Sequence, residues 1–157
     1  MWKRIRPYVI SVLIALAVGG ISALLTMNNM DLYSKIEQPP LAPPPWIFPV
    51  VWTVLFILMG IGAAIVYNKK DTNPEEVRDA LIIYAVNLAL NFFWSIIFFN
   101  LEAYLFAFIW LVLLWITIVV MIIAFKKISP VAAYLQIPYL IWVTFAGYLN
   151  YAIYLLN

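Results

Sequence analysis

The run PVAAYLQIPYLIWVTFAGYLNYAIYLL, Pro130 to Leu156, contains no charged side chain. As a helix rising about 1.5 Å per residue it is long enough to cross a hydrocarbon core of about 30 Å. It also carries Pro138, Tyr139, Trp142 and Asn150, which is more than a hydrophobic anchor requires. Working outward, four further charge-free stretches of similar length run from Tyr8 to Thr26, Trp46 to Asn68, Ala80 to Asn100 and Ala103 to Phe125. Hydrophobic residues make up 67% of the chain and charged ones 10%, against about 25% charged in an average soluble domain. The sequence therefore predicts an all-α integral membrane protein, a five-transmembrane-helix bundle forming one domain over residues 1–157.

Basic residues orient it. Lys3, Arg4 and Arg6 precede the first span, Lys69, Lys70 and Arg78 separate the second from the third, and Lys126 and Lys127 separate the fourth from the fifth. All share one side, and only Lys35 lies on the other, so the N-terminus is expected in the cytoplasm and the C-terminus outside. The first apolar run is longer than a signal-peptide core and lacks a small-residue cleavage site, which reads as a retained helix in a multi-pass cell-membrane protein. The formal net charge of +2 reflects this topology and gives no reason to propose nucleic-acid binding.

Cys and His are both absent, removing thiolate nucleophiles, the commonest general base and the commonest metal ligands. No Asp, Glu, Lys or Arg falls near the middle of a span, which argues against proton relays and ion-coupled transport. No metal site, resident cofactor or conventional catalytic constellation is expected.

The side chains that do enter the membrane are neutral or aromatic. Asn87, Asn91 and Ser95 step by four along one face of the third span, and such groups need partners inside the bundle. Trp52 and Phe56 lie four apart, Phe92, Phe93 and Trp94 fall mid-span, and Tyr139, Trp142 and Phe145 step by three. Ala146, one turn after Trp142, leaves room beside the indole, and Pro138 frees a carbonyl and can kink the helix. Rings with a few neutral polar groups suit a flat, apolar ligand. Ala15, Gly19 and Ala23, with Gly60 and Ala64, form small-residue stripes that serve either packing within the bundle or a homodimer seam. Residues 27–45 form the longest connection, and its Gln38-to-Pro45 prolines predict a stiff, extended strap ending at Trp46, with Pro45 in the first turn of the next helix. Asn73-Pro74-Glu75-Glu76 and Ser129-Pro130 read as helix starts.

These features, from Pro44-Pro45-Trp46 and Val51-Trp52 with Gly60, through Ala89-Leu90-Asn91, to Ser129-Pro130, Pro138-Tyr139, Trp142 and Ala146 with Leu149-Asn150-Tyr151, resemble the tryptophan-rich sensory protein and translocator protein family (TspO/MBR), also called the peripheral benzodiazepine receptor family. The resemblance implies a five-helix bundle, usually dimeric, whose first loop covers a pocket for porphyrins and for isoquinoline-carboxamide or benzodiazepine ligands. It assigns ligand contacts to Tyr33, Pro43, Trp52, Phe56, Asn87, Asn91, Phe93, Trp142, Ala146 and Leu149. Its functional expectation is a membrane receptor or regulator of tetrapyrroles. The alternatives are light- and oxygen-dependent protoporphyrin degradation using Trp52 and Trp142, and passive transport of amphipathic molecules. The chain departs from the animal members in lacking the basic residue that ends their cholesterol motif after Leu149 and Tyr151, and from some members of the family in having no first-loop histidine.

Overall fold

Turn chemistry sets the ends of the helices in the computed structural model, which describes all of residues 1–157. Helix α1 spans Trp2–Thr26, a short α2 in the first loop spans Leu32–Lys35, and α3 spans Ile47–Tyr67. Helix α4, Pro74–Ser95, continues through a π-helical turn at Ile96–Asn100, and α5 runs Tyr104–Ile128. The fifth span is two helices, α6 at Pro130–Tyr134 and α7 at Ile137–Leu156, and there is no strand. Five spans are long and apolar enough to cross a membrane.

Several boundaries differ from expectation for local reasons. α1 starts well before Tyr8, because Pro7 lies so near the helix start that its missing N–H removes a single bond from a turn open to water. α4 starts at Pro74 rather than Ala80: Pro74 takes the first position with Glu75 and Glu76 in the first turn, where acidic groups favour the helix dipole. Asn73 stands at the cap, yet its side chain makes no capping bond. Ser129 does cap, accepting from the Ala132 N–H at 3.3 Å.

The proline strap is not extended throughout. The Ala42 N–H returns to the Pro39 carbonyl at 3.3 Å, closing a turn in which Leu41 takes φ 71. That left-handed backbone costs a non-glycine residue about 1 kcal/mol or more and folds the strap back over the bundle. Pro45 lies before the helix instead of in its first turn, since α3 begins at Ile47 and the Pro44 and Pro45 carbonyls accept the first N–H groups at 3.1 and 3.3 Å.

Pro138 breaks the fifth span more completely than a kink. It cannot donate to the Tyr134 carbonyl, and the chain turns at Leu135 and Gln136 before α7 begins. The fully buried Gln136 stitches the break, its Nε2 donating to the carbonyls of Leu58 on α3 at 3.2 Å and Ala132 at 3.3 Å. Gly62 leaves the room: a Cβ there would collide with Gln136 Nε2.

Helix α5 is the strut, packing on α4, α6 and α7, while α1 packs on α3 and α4. The small residues explain that approach. A Cβ on Gly60 would sit 2.6 Å from the Val12 Cα, and one on Gly19 would sit 2.5 Å from the Phe56 ring. Ala15 is fully buried, so these positions serve packing within the bundle, whereas Ala23 is exposed. Helices α3 and α7 lack comparable backbone packing and meet through side chains, which leaves space between them.

Gly60→Ala is therefore expected to push α1 from α3 and destabilise the bundle by about 1–3 kcal/mol, while Gly20→Ala, where a Cβ meets nothing within 4 Å, leaves stability unchanged or slightly higher. Thermal unfolding in detergent distinguishes the two.

Candidate functional site

The polar stripe on α4 organises the interior. Asn91 Nδ2 donates to the Tyr139 hydroxyl at 2.8 Å, and that hydroxyl donates to Asn87 Oδ1 at 3.0 Å. Asn87 Nδ2 then donates to Thr117 Oγ1 on α5 at 3.1 Å, whose hydroxyl donates to the Leu114 carbonyl at 2.7 Å. Nearer the loop, Trp94 Nε1 donates to Asn150 Oδ1 at 3.0 Å, and Asn150 Nδ2 donates to the Tyr104 carbonyl at 2.9 Å. These chains satisfy polar atoms that lipid would leave unpaired and fix the rotation of α4, α5 and α7.

Above the Tyr139 tie lies a cavity of about 310 Å³ between α1, α3, α4 and α7, roofed by the first loop. Gly19, Ser22 and Ala23 contribute from α1, and Phe48, Trp52 and Phe56 from α3. Asn91, Trp94, Ser95 and Phe98 come from the third span, Trp142, Ala146, Leu149 and Asn150 from α7, and Met30 and Tyr33 from the roof. The rings form a connected wall: Tyr33 to Phe48 at 5.0 Å between centroids, Phe48 to Trp142 at 5.8 Å, and Trp52 to Tyr139 at 6.2 Å. Edge-to-face pairs of this kind contribute about 0.5–1.5 kcal/mol each beyond area burial. No charged side chain lines the cavity.

The structure brings Tyr33, Trp52, Phe56, Asn91, Trp142, Ala146 and Leu149 to this one wall. It does not bring Asn87, Phe93 or Pro43. Asn87 is fully buried behind Tyr139. Phe93 follows Asn91 by two positions, about 200° around the helix, and is 48% exposed on the outside with its ring against Phe92. Pro43 acts from the roof, its carbonyl accepting from the Tyr33 hydroxyl at 2.8 Å. Trp94, Phe98 and Phe48 occupy the wall without having been assigned to it. The signal was present: Trp94 and Phe98 lie three and seven residues after Asn91, and Phe48 four before Trp52, each on the same helix face.

Three features define the electrostatics. Trp142 Nε1 is buried with no acceptor, an unsatisfied donor beside the cavity. On the exposed loop Lys35 pairs with Asp31 at 2.9 Å, and its hydrogen bond and charge hold the Asp31 carboxyl below the usual carboxylate range. Burial raises the Tyr33 phenol above its ordinary value, so it stays protonated as the donor to Pro43.

A profile of the TspO/MBR family matches residues 11–156. The tryptophan-rich protein TspO of Chlorobaculum tepidum is 39% identical over 100% of this chain and 99% of its own length. The TspO protein of Archaeoglobus fulgidus is 36% identical over 98% of this chain and 99% of its own. The human translocator protein is 33% identical over 81% of this chain and 75% of its own.

Tyr139→Phe removes the hydroxyl that joins Asn91 to Asn87 and leaves two buried amide atoms unpaired. The expected cost is about 1–3 kcal/mol, read by thermal unfolding, with a shift of Trp emission because the Tyr139 ring lies against Trp52.

Proposed function

The chain belongs to the TspO/MBR family, and from that premise we propose that its cavity binds a porphyrin-type tetrapyrrole, or a flat aromatic ligand of the isoquinoline-carboxamide or benzodiazepine type. The family and the five apolar spans make it a multi-pass integral membrane protein with a receptor or regulator role. The observation that carries the ligand reading is the uncharged aromatic wall with one unsatisfied indole donor. The rings of this wall suit stacking on a flat ligand. Micromolar affinity corresponds to about 8 kcal/mol, within reach of a macrocycle that buries its faces against Phe48, Trp52 and Trp142.

The volume sets how such a ligand sits. About 310 Å³ is at the low end of the roughly 300–1,000 Å³ seen for small-molecule sites, so a macrocycle fills the cavity and its propionates point out of it. Lys35 is the only basic residue at the loop end, and Asp31 already neutralises it. Stacking and shape, more than charge pairing, then account for binding. In the same reading the basic end is cytoplasmic, the loop faces outward, and the protein forms a homodimer in a bacterial cell membrane.

A second reading, light- and oxygen-dependent degradation of the bound porphyrin, draws on the placement of both Trp52 and Trp142 in the wall. One experiment addresses both. Titration of the purified protein with protoporphyrin in the dark is expected to quench Trp fluorescence saturably, and Trp142→Phe to weaken binding about 2- to 10-fold, the loss of indole stacking area. Unsaturable quenching removes the binding site. Illumination in oxygen then separates the readings: a new absorbing product supports turnover, and an unchanged porphyrin spectrum leaves binding alone.

A further inference from the structure

We infer that the first loop is a fixed roof rather than a moving lid, and that ligands enter sideways from the bilayer between the loop ends of α1 and α3. The ligand class rests on the binding reading above; the route rests on separate geometry. The roof is fastened along the α7 side. Asn157 Oδ1 accepts the Glu37 N–H at 3.2 Å while Asn157 Nδ2 donates to the Glu37 carbonyl at 3.1 Å, a two-point clasp on one loop residue. The Tyr148 hydroxyl donates to the Pro40 carbonyl at 2.6 Å, beside the turn that folds the strap back. Within the loop, Tyr33 donates to Pro43 at 2.8 Å and Gln38 Nε2 to the Tyr33 carbonyl at 2.6 Å. Lifting the roof breaks the Asn157 and Tyr148 bonds together, and the bonds within the loop make it move as one piece.

The α1–α4 edge is closed as well. Asn29 Nδ2 donates to Asn100 Oδ1 at 2.8 Å, and Asn100 Nδ2 donates to the Leu25 carbonyl at 3.1 Å. The α1–α3 edge is different. Its one side-chain hydrogen bond, Ser11 Oγ to the Gly60 carbonyl at 2.7 Å, lies toward the basic end, and Gly19 packs against the Phe56 ring. One turn nearer the loop Ala23 lines the cavity from α1, with Pro49 and Trp52 from α3.

The exposed members of the lining are Ala23 on α1, Pro49 on α3, and Met30 and Pro45 at the two ends of the loop that joins them. Around them Leu24, Met27, Trp46 and Val50 are exposed, and none is charged. An apolar rim on a membrane-spanning bundle opens to lipid, so the site is loaded by molecules dissolved in the bilayer.

The chain has no cysteine, so Ser95→Cys, inside the cavity, gives a single thiol that reports the route without any porphyrin. In lipid vesicles a long-chain alkyl maleimide is expected to label it about tenfold faster, relative to reaction with free thiol, than a charged methanethiosulfonate. Asn157→Ala, which opens the clasp, is expected to change alkyl labelling by less than about twofold, whereas Ala23→Trp slows it about fivefold or more. Ala23 is exposed, so the added ring costs no core packing. Equal labelling by the charged reagent, or acceleration by Asn157→Ala with no effect of Ala23→Trp, overturns the fixed roof. Failure of the protoporphyrin titration alone would overturn the ligand class and leave this result standing.

Discussion

The Tyr139 hydroxyl is the tie on which the rest of the structure depends. It accepts from Asn91 and donates to Asn87, and through Asn87 it reaches Thr117, so one phenol joins α7 to α4 and α5 in a region with no water to substitute. Helices in lipid have no hydrophobic drive to associate, so packing and such hydrogen bonds set their rotation. With α4 and α7 fixed, Asn91, Trp94, Trp142 and Ala146 all turn to the cavity. Asn91 brings the tie to the cavity, and the Tyr139 ring behind it lies edge-on to Trp52.

A second constraint makes the space. Pro138 breaks the fifth span, and the buried Gln136 fastens the break to α3 at Leu58, with Gly62 leaving the necessary gap. Beyond that point α3 and α7 meet through rings rather than backbones, because Phe48, Trp52, Tyr139 and Trp142 stand between them. The α1–α3 pair behaves in the opposite sense: Gly60 and Gly19 let it pack closely, and Ala23 then lines the cavity. The cavity is thus bounded by one close seam and one separation held by aromatic side chains. Its polarity follows from the same arrangement, because Asn91 and Asn150 are already paired and, among the residues that line the cavity, the buried Trp142 indole is left without an acceptor.

Much of the site was legible in residue spacing. Trp52 and Phe56 share a face of α3, Trp142, Ala146 and Leu149 share one of α7, and all five reach the cavity. Asn87 and Phe93 show where such reading ends. Asn87 shares the face of Asn91, but Tyr139 from another helix stands between it and the cavity. Phe93 is adjacent in sequence to Trp94 yet points to lipid, which follows from helical rotation once one residue of the face is placed. Gln136 carried no signal, since a single amide in an apolar run looks like a connector until its partner carbonyl on α3 is known.

By itself the sequence determined the five spans, the gathering of basic residues at one end of them and the presence of a proline-rich first loop. All of these depend on local composition: apolar length, charge placement and the missing proline N–H. Only the tertiary structure decided that the fifth span is two helices, that the strap turns back at Leu41 and is clasped by Asn157, and which side of each helix forms the cavity. The physical reason is that a buried donor must find its acceptor on a particular neighbour, and a glycine's value depends on what approaches it. Neither partner is visible along one strand of sequence.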